Sequence, residues 1–106
     1  MMETFADYVV RHCRKHKYSA TFTEFWRSHA RCEVHGCGLW SAAPHHIRSR
    51  GAGGDDNPRN LLALCTRHHF EAEQYGDKRF AKMYPEVAEK VRSALERPKV
   101  TTDEPV

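Results

Sequence analysis

Cys32 and Cys37 are separated by four residues, and Cys65 and His68 by two. Short pairs of this kind grip a tetrahedral zinc ion, because thiolate and imidazole ligands suit zinc and four of them leave no open position. Such a closed site is structural. His35 stands between the first two cysteines and can replace one of them, so the expected set is Cys32, Cys37, Cys65 and His68, with a His35-containing set as its alternative. Disulfides or free buried thiols would use the same cysteines, but no apolar signal segment stands near Met1, and histidines crowd around three of the four, which favours metal. Cys13, the fourth, lies in a helix-like stretch and is expected to be a core thiol.

A second group of candidates is left over once that set is filled. Ala43-Pro44-His45-His46-Ile47-Arg48 is followed by Gly51-Ala52-Gly53-Gly54-Asp55-Asp56-Asn57-Pro58-Arg59-Asn60, then Leu61 to Cys65, then His68-His69. An imidazole off the metal, with a pKa near neutrality, can take a proton from water. Adjacent residues on a strand point to opposite sides, so His45 and His46 can serve different partners. Asp55 and Asp56 are expected to shape the loop as turn residues.

This order of cysteine, paired His, Gly-rich loop, Asn-Leu-Leu, cysteine and paired His resembles the HNH endonuclease motif, also called the ββα-metal motif. The resemblance covers about Cys32 to Tyr75, and the zinc-knuckled version looks like the small HNH proteins of phages and prophages. It implies an α+β fold, a ββα-metal (His-Me finger) core with a structural zinc knuckle, flanked by N- and C-terminal helices. It places His46 at the general base, His45 and His69 at ligands of a catalytic ion, and Asn60 at the middle letter. Asn60 would serve the active site by hydrogen-bonding loop backbone and fixing the His46 strand. Many relatives carry His four residues after the final motif His, where this chain has Glu73. Residues four apart share a helix face, and a carboxylate there would favour magnesium or manganese over zinc.

The implied activity is hydrolysis of double-stranded DNA, by nicking or double-strand cleavage, to 5′-phosphate and 3′-hydroxyl ends. Arg48, Arg50, Arg59 and Arg67 are candidate phosphate contacts. The implied location is the cytoplasm of a bacterial or phage-infected cell. Cuts on opposite strands need two sites, which makes a homodimer attractive. The rival from a different class is a zinc-ribbon-like nucleic-acid-binding module that cuts nothing. It accounts for the cysteines but leaves His45, His46, Asn60 and His69 without a task. A colicin-like toxin nuclease shares the motif, but 106 residues leave no room for a translocation or receptor segment.

The elements that must position these groups can be sketched from periodicity. Apolar positions from Glu3 to Lys17 follow helical spacing, and a second short helix after Ser19 or Thr21 gathers Phe22, Phe25 and Trp26 on one side as core. Glycines and prolines then break every helical pattern from residue 32 to 64. A hairpin of Leu39 to Ala43 with His46 to Arg48 is expected there, followed by a long loop from Gly51 to Asn60. Thr66 to Tyr75 should be a helix stopped by Gly76, and Pro85 to Arg97 the last one. These divide the chain into an N-terminal helical segment 1–30, a nuclease core 31–76, a C-terminal helix 77–98 and a disordered tail 99–106.

Bulk properties bound the answer without deciding it. An apolar fraction of 40% permits a modest core. The net charge of +3 is uneven: residues 1–50 carry eight Lys or Arg against four Asp or Glu, and residues 51–106 nine against ten. A basic half fits a phosphate-facing surface. No run of eighteen apolar residues exists, so no membrane span is expected.

Overall fold

The computed structural model describes residues 2–96. Helix α1 (Phe5–Lys15) starts at a capping box, with the Thr4 side chain accepting from the Asp7 N–H and the Asp7 carboxylate accepting from the Thr4 N–H. Val9 and Cys13, four apart, turn into the core. Helix α2 (Ala20–Ser28) is capped by Ser19 and buries Phe22, Phe25 and Trp26. Both helices thus begin where the sequence offers a hydroxyl to an otherwise unpartnered N–H, and each buries one face.

Two short strands follow, β1 (His45–His46) and β2 (Leu61–Leu62), paired antiparallel with His45 opposite Leu62 and His46 opposite Leu61. Between them run single 3₁₀ turns at Arg50–Ala52 and Pro58–Asn60. Helix α3 (Thr66–Tyr75), helix α4 (Asp77–Met83), a 3₁₀ turn at Pro85–Val87 and helix α5 (Ala88–Glu96) complete an α+β fold that is mostly helical.

Two expected elements are corrected. The segment Leu39 to Ala43 is not the partner of the His46 strand; it forms one isolated bridge, Trp40 to Arg31, and lends Ala42 N–H to Leu64 O. The reason is burial: Leu39 and Trp40 are 55% and 54% exposed, so pairing them would bury little, whereas Leu61 and Leu62 are fully buried. The expected helix at Pro85 begins instead as a 3₁₀ turn and becomes α-helical at Ala88; its expected last residue, Arg97, and the tail 99–106 lie outside the described residues. A whole helix, α4, precedes it. Gly76 (φ 85°) ends α3 and launches α4 without a connecting loop, and Phe80 on α4 is fully buried.

The core is in two parts joined by one segment. Leu62 and Leu64 pack with Ile47, Phe80, Val87 and Val91. Leu61 and Ala63 face the other way and pack with Val9, Phe22, Phe25 and Trp26. This is the period-two alternation of an extended chain, here with apolar residues on both sides. No helix among the described residues is long and apolar enough to cross a membrane.

Candidate functional site

Cys32, Cys37, Cys65 and His68 converge, their four ligand atoms all within 4.8 Å of one another. Gly36 (φ 77°) and Gly38 (φ 69°) fold the chain back so that Cys32 N–H reaches Leu39 O at 2.9 Å, setting Cys37 beside Cys32. Cys65 is the N-cap of α3, and its sulfur accepts from the His68 N–H, which fixes the spacing of the second pair. Cys37 Sγ lies 3.8 Å from Cys65 Sγ, and His68 Nδ1 lies 3.4 and 3.2 Å from the sulfurs of Cys32 and Cys65. A tetrahedral zinc with ordinary bond lengths requires about 3.8 Å between sulfurs and about 3.5 Å between sulfur and nitrogen. The residues present fit one such ion, with Nδ1 as the histidine donor, and His35 is not among them. All four cysteines of the chain are free of disulfides, and Cys13 is buried in the N-terminal half of the core. Burial pushes the Cys32 thiol up to about 11, while the Leu39 backbone holds the Cys37 thiol below its ordinary value.

A second cluster uses the other imidazoles. Ligand atoms of His45, His69 and Glu73 also lie within 4.8 Å of one another. His45 comes from β1 and the other two from α3, one turn apart, with His69 Nε2 3.1 Å from Glu73 Oε1. His45 is buried, and its Nε2 is 2.8 Å from Asp77 Oδ1 at the start of α4. A carboxylate on one ring nitrogen fixes the tautomer and leaves Nδ1 as the donor toward an ion, an arrangement common around bound metals. Burial, then the neighbouring His45, lowers the His69 pKa, so the ring is kept neutral and able to ligate.

His46 has a different environment. Its Nε2 is 2.8 Å from Asp56 Oδ1, and its ring stacks on Phe22 with centroids 5.6 Å apart. Asp56 also accepts from the Ser19 hydroxyl and pairs with Arg50. Burial pushes its carboxyl up, but the hydrogen bonds from His46, Ser19 and Arg50 together hold it below its ordinary value.

Asn60 sits at the far end of the loop and is 2% exposed. Its Oδ1 accepts from Arg48 N–H at 2.8 Å, and its Nδ2 donates to Arg48 O and Asp55 O at 2.9 and 2.8 Å. It therefore ties both ends of the loop to the segment that leaves β1. Gly54 passes so close that a Cβ there would lie 1.7 Å from Arg48 O.

The four arginines expected at phosphate have different surroundings. Arg48 donates to Leu95 O, and Arg50 is engaged by Asp56. Arg67 bears electrostatically on Cys37 and Tyr84, toward the cysteine cluster. Arg59 is exposed beside Asn60. Two residues that sequence reasoning gave no place beside the histidines are Asp56, read as a turn former, and Asp77, hidden in an unexpected helix. Neither carries a spacing signal, since each meets its histidine only through tertiary folding. No family model, curated protein or solved structure matches the chain.

Proposed function

We propose that this chain is a metal-dependent DNA endonuclease with a ββα-metal core, in which His46 is the general base and His45, His69 and Glu73 hold one divalent ion. The observation that carries the proposal is the pairing of two unlike clusters. The four-donor cysteine cluster is closed and sufficient to clip α3 to the preceding turn. The three-donor cluster is not needed for that task, and Glu73 in it is 66% exposed, so its face is open to a substrate.

Of the three donors, the Glu73 carboxylate is the one that favours a hard ion over zinc. Adjacent ligands of an octahedral magnesium or manganese stand about 3.0 Å apart, against 3.1 Å between His69 Nε2 and Glu73 Oε1. When bound, such an ion supplies positive charge to the scissile phosphate and to the departing 3′ oxygen. With Asp56 on its Nε2, His46 keeps Nδ1 for the proton of an attacking water. That water's oxygen bonds to phosphorus, the bond from phosphorus to the 3′ oxygen breaks, and the 3′ oxygen is protonated from solvent, leaving 5′-phosphate and 3′-hydroxyl ends. Asp56 stabilises the imidazolium formed in the step, and Asn60 holds the strand from which both histidines project.

The non-catalytic alternative, a zinc-ribbon-like nucleic-acid-binding module, is favoured by the closed cluster only and gives the His46–Asp56 pair nothing to do. Zinc-loaded protein incubated with supercoiled plasmid and magnesium or manganese separates the two: conversion to nicked or linear product is expected, and binding without conversion would leave the module.

A further inference from the structure

We infer that the substrate's phosphodiester backbone is received by α4, through Lys78, Arg79 and Lys82, none of which belongs to the arginines expected from the sequence. This rests on the nuclease proposal for the identity of the ligand, but its geometry is independent. An open cleft of about 710 Å³ is lined by Tyr75, Asp77, Lys78, Arg79, Lys82 and Leu95. Lys78, Lys82 and Leu95 also line an adjoining cleft of about 540 Å³ between α4 and α5, so the two run together.

Three properties assign this groove to a polyanion. First, its cations are unspent. Among the described residues Lys78 and Lys82 make no ion pair, and Arg79 only overlies the Tyr75 ring at 5.2 Å. Second, the carboxylates along its walls are fewer than its cations: Glu96 pairs with Arg92, which leaves Asp77, the hydrogen-bond partner of His45. With Glu96 matched by Arg92, the groove sets the three cations of α4 against the single Asp77 carboxylate and so carries net positive charge, an arrangement that costs self-repulsion unless an anion visits. Third, the groove adjoins the three-donor cluster. Asp77, its first wall residue, is the hydrogen-bond partner of His45, so a strand whose phosphate meets His45, His69 and Glu73 continues onto α4. Lys78 and Lys82 are one helical turn apart and share a face, which presents two point charges in a row to successive phosphates. By contrast, the cation beside His46, Arg50, is already spent on Asp56. The charge of this region thus points the strand toward α4.

The test is fluorescence anisotropy of a short labelled DNA duplex, titrated with zinc-loaded His46→Ala protein over a range of sodium chloride without added magnesium. The substitution pair Lys78→Ala and Lys82→Ala is compared with a charge-matched pair on α1, Arg14→Ala and Lys15→Ala. We expect the α4 pair to bind roughly ten-fold more weakly and to lower the slope of log affinity against log salt by about 2, close to 0.9 per lost phosphate contact. The melting temperature should not move, because both lysines are exposed and unpaired. An unchanged slope, or a loss no greater than that of the α1 pair, overturns the assignment. Plasmid cleavage by the otherwise unmodified chain is scored alongside: binding that depends on α4 without any cleavage removes the nuclease and keeps the surface, whereas cleavage with an unaltered slope does the reverse.

Discussion

The Asp56 carboxylate and the His46 imidazole meet at 2.8 Å although one belongs to a loop and the other to the strand before it. The contact fixes which nitrogen of His46 bears the proton, and it does so from a residue itself held by Ser19 at the start of α2 and by Arg50. Asp56→Asn keeps the shape but removes the charge that stabilises an imidazolium. Its kcat for plasmid cleavage should fall on the order of 10²-fold or more with little change in KM.

The same carboxylate gives a pH dependence of stability with a definite sign. Its folded-state pKa is below the ordinary value, so the contribution is fully present above about pH 4. It is lost as pH falls through the lower folded value. Acid unfolding followed by circular dichroism should begin at higher pH in Asp56→Asn, whose stability curve lacks this component throughout. Superimposable acid transitions would remove Asp56 as a stabilising group.

His46→Ala should reduce cleavage by on the order of 10²- to 10⁴-fold while leaving the zinc content unchanged and the chain folded, with a modest fall in melting temperature from the lost contacts to Asp56 and Phe22. Retained cleavage in a properly folded variant would take His46 out of the reaction.

Metal analysis of protein purified in reducing buffer should find one zinc per chain. Structural zinc contributes about 10 kcal/mol or more, comparable to the whole stability of a small domain. Cys65→Ser, or a strong chelator, should lower Tm by more than roughly 10 °C. If neither does, the cysteine cluster does not hold this fold together.

The loop has a narrow tolerance. Asn60→Ala removes three hydrogen bonds of a 2% exposed side chain, a loss of about 2–4 kcal/mol. Gly54→Ala drives a methyl group into Arg48 O and should cost about 3 kcal/mol. Denaturant titration reads both. A Gly54→Ala protein as stable as its parent would mean that the loop does not press against Arg48 O.

What the sequence made legible was what spacing encodes. Ser19 could be read as a start of α2 because a capping side chain must stand next to the turn it caps, whereas the cap of α1 is Thr4 and that of α3 is Cys65, not Thr66, the hydroxyl the sequence offers there. The cysteine cluster could be named because each of its pairs lies within a few residues. The strand partner was misplaced because Leu39 to Ala43 and Leu61 to Ala63 both have extended-chain composition, and only burial against two separate sets of helices distinguishes them. Helix α4 was missed because Gly76 looks the same whether it stops one helix or joins two. Asp56 and Asp77 were beyond reach for a related reason: an acidic residue has no local signature of the histidine it will meet.

The four consecutive residues Leu61 to Leu64 face two cores in turn, and this makes the molecule hard to take apart. A shortened chain beginning after α2 would leave Leu61 and Ala63 wet, and one ending after α3 would strip the cover from Leu62 and Leu64. Neither end is an ornament that could be exchanged by recombination for another sequence. A fragment of residues 32–73 would keep both groups of candidate ligands but lose Asp77 and the helices on which Leu61 to Leu64 pack.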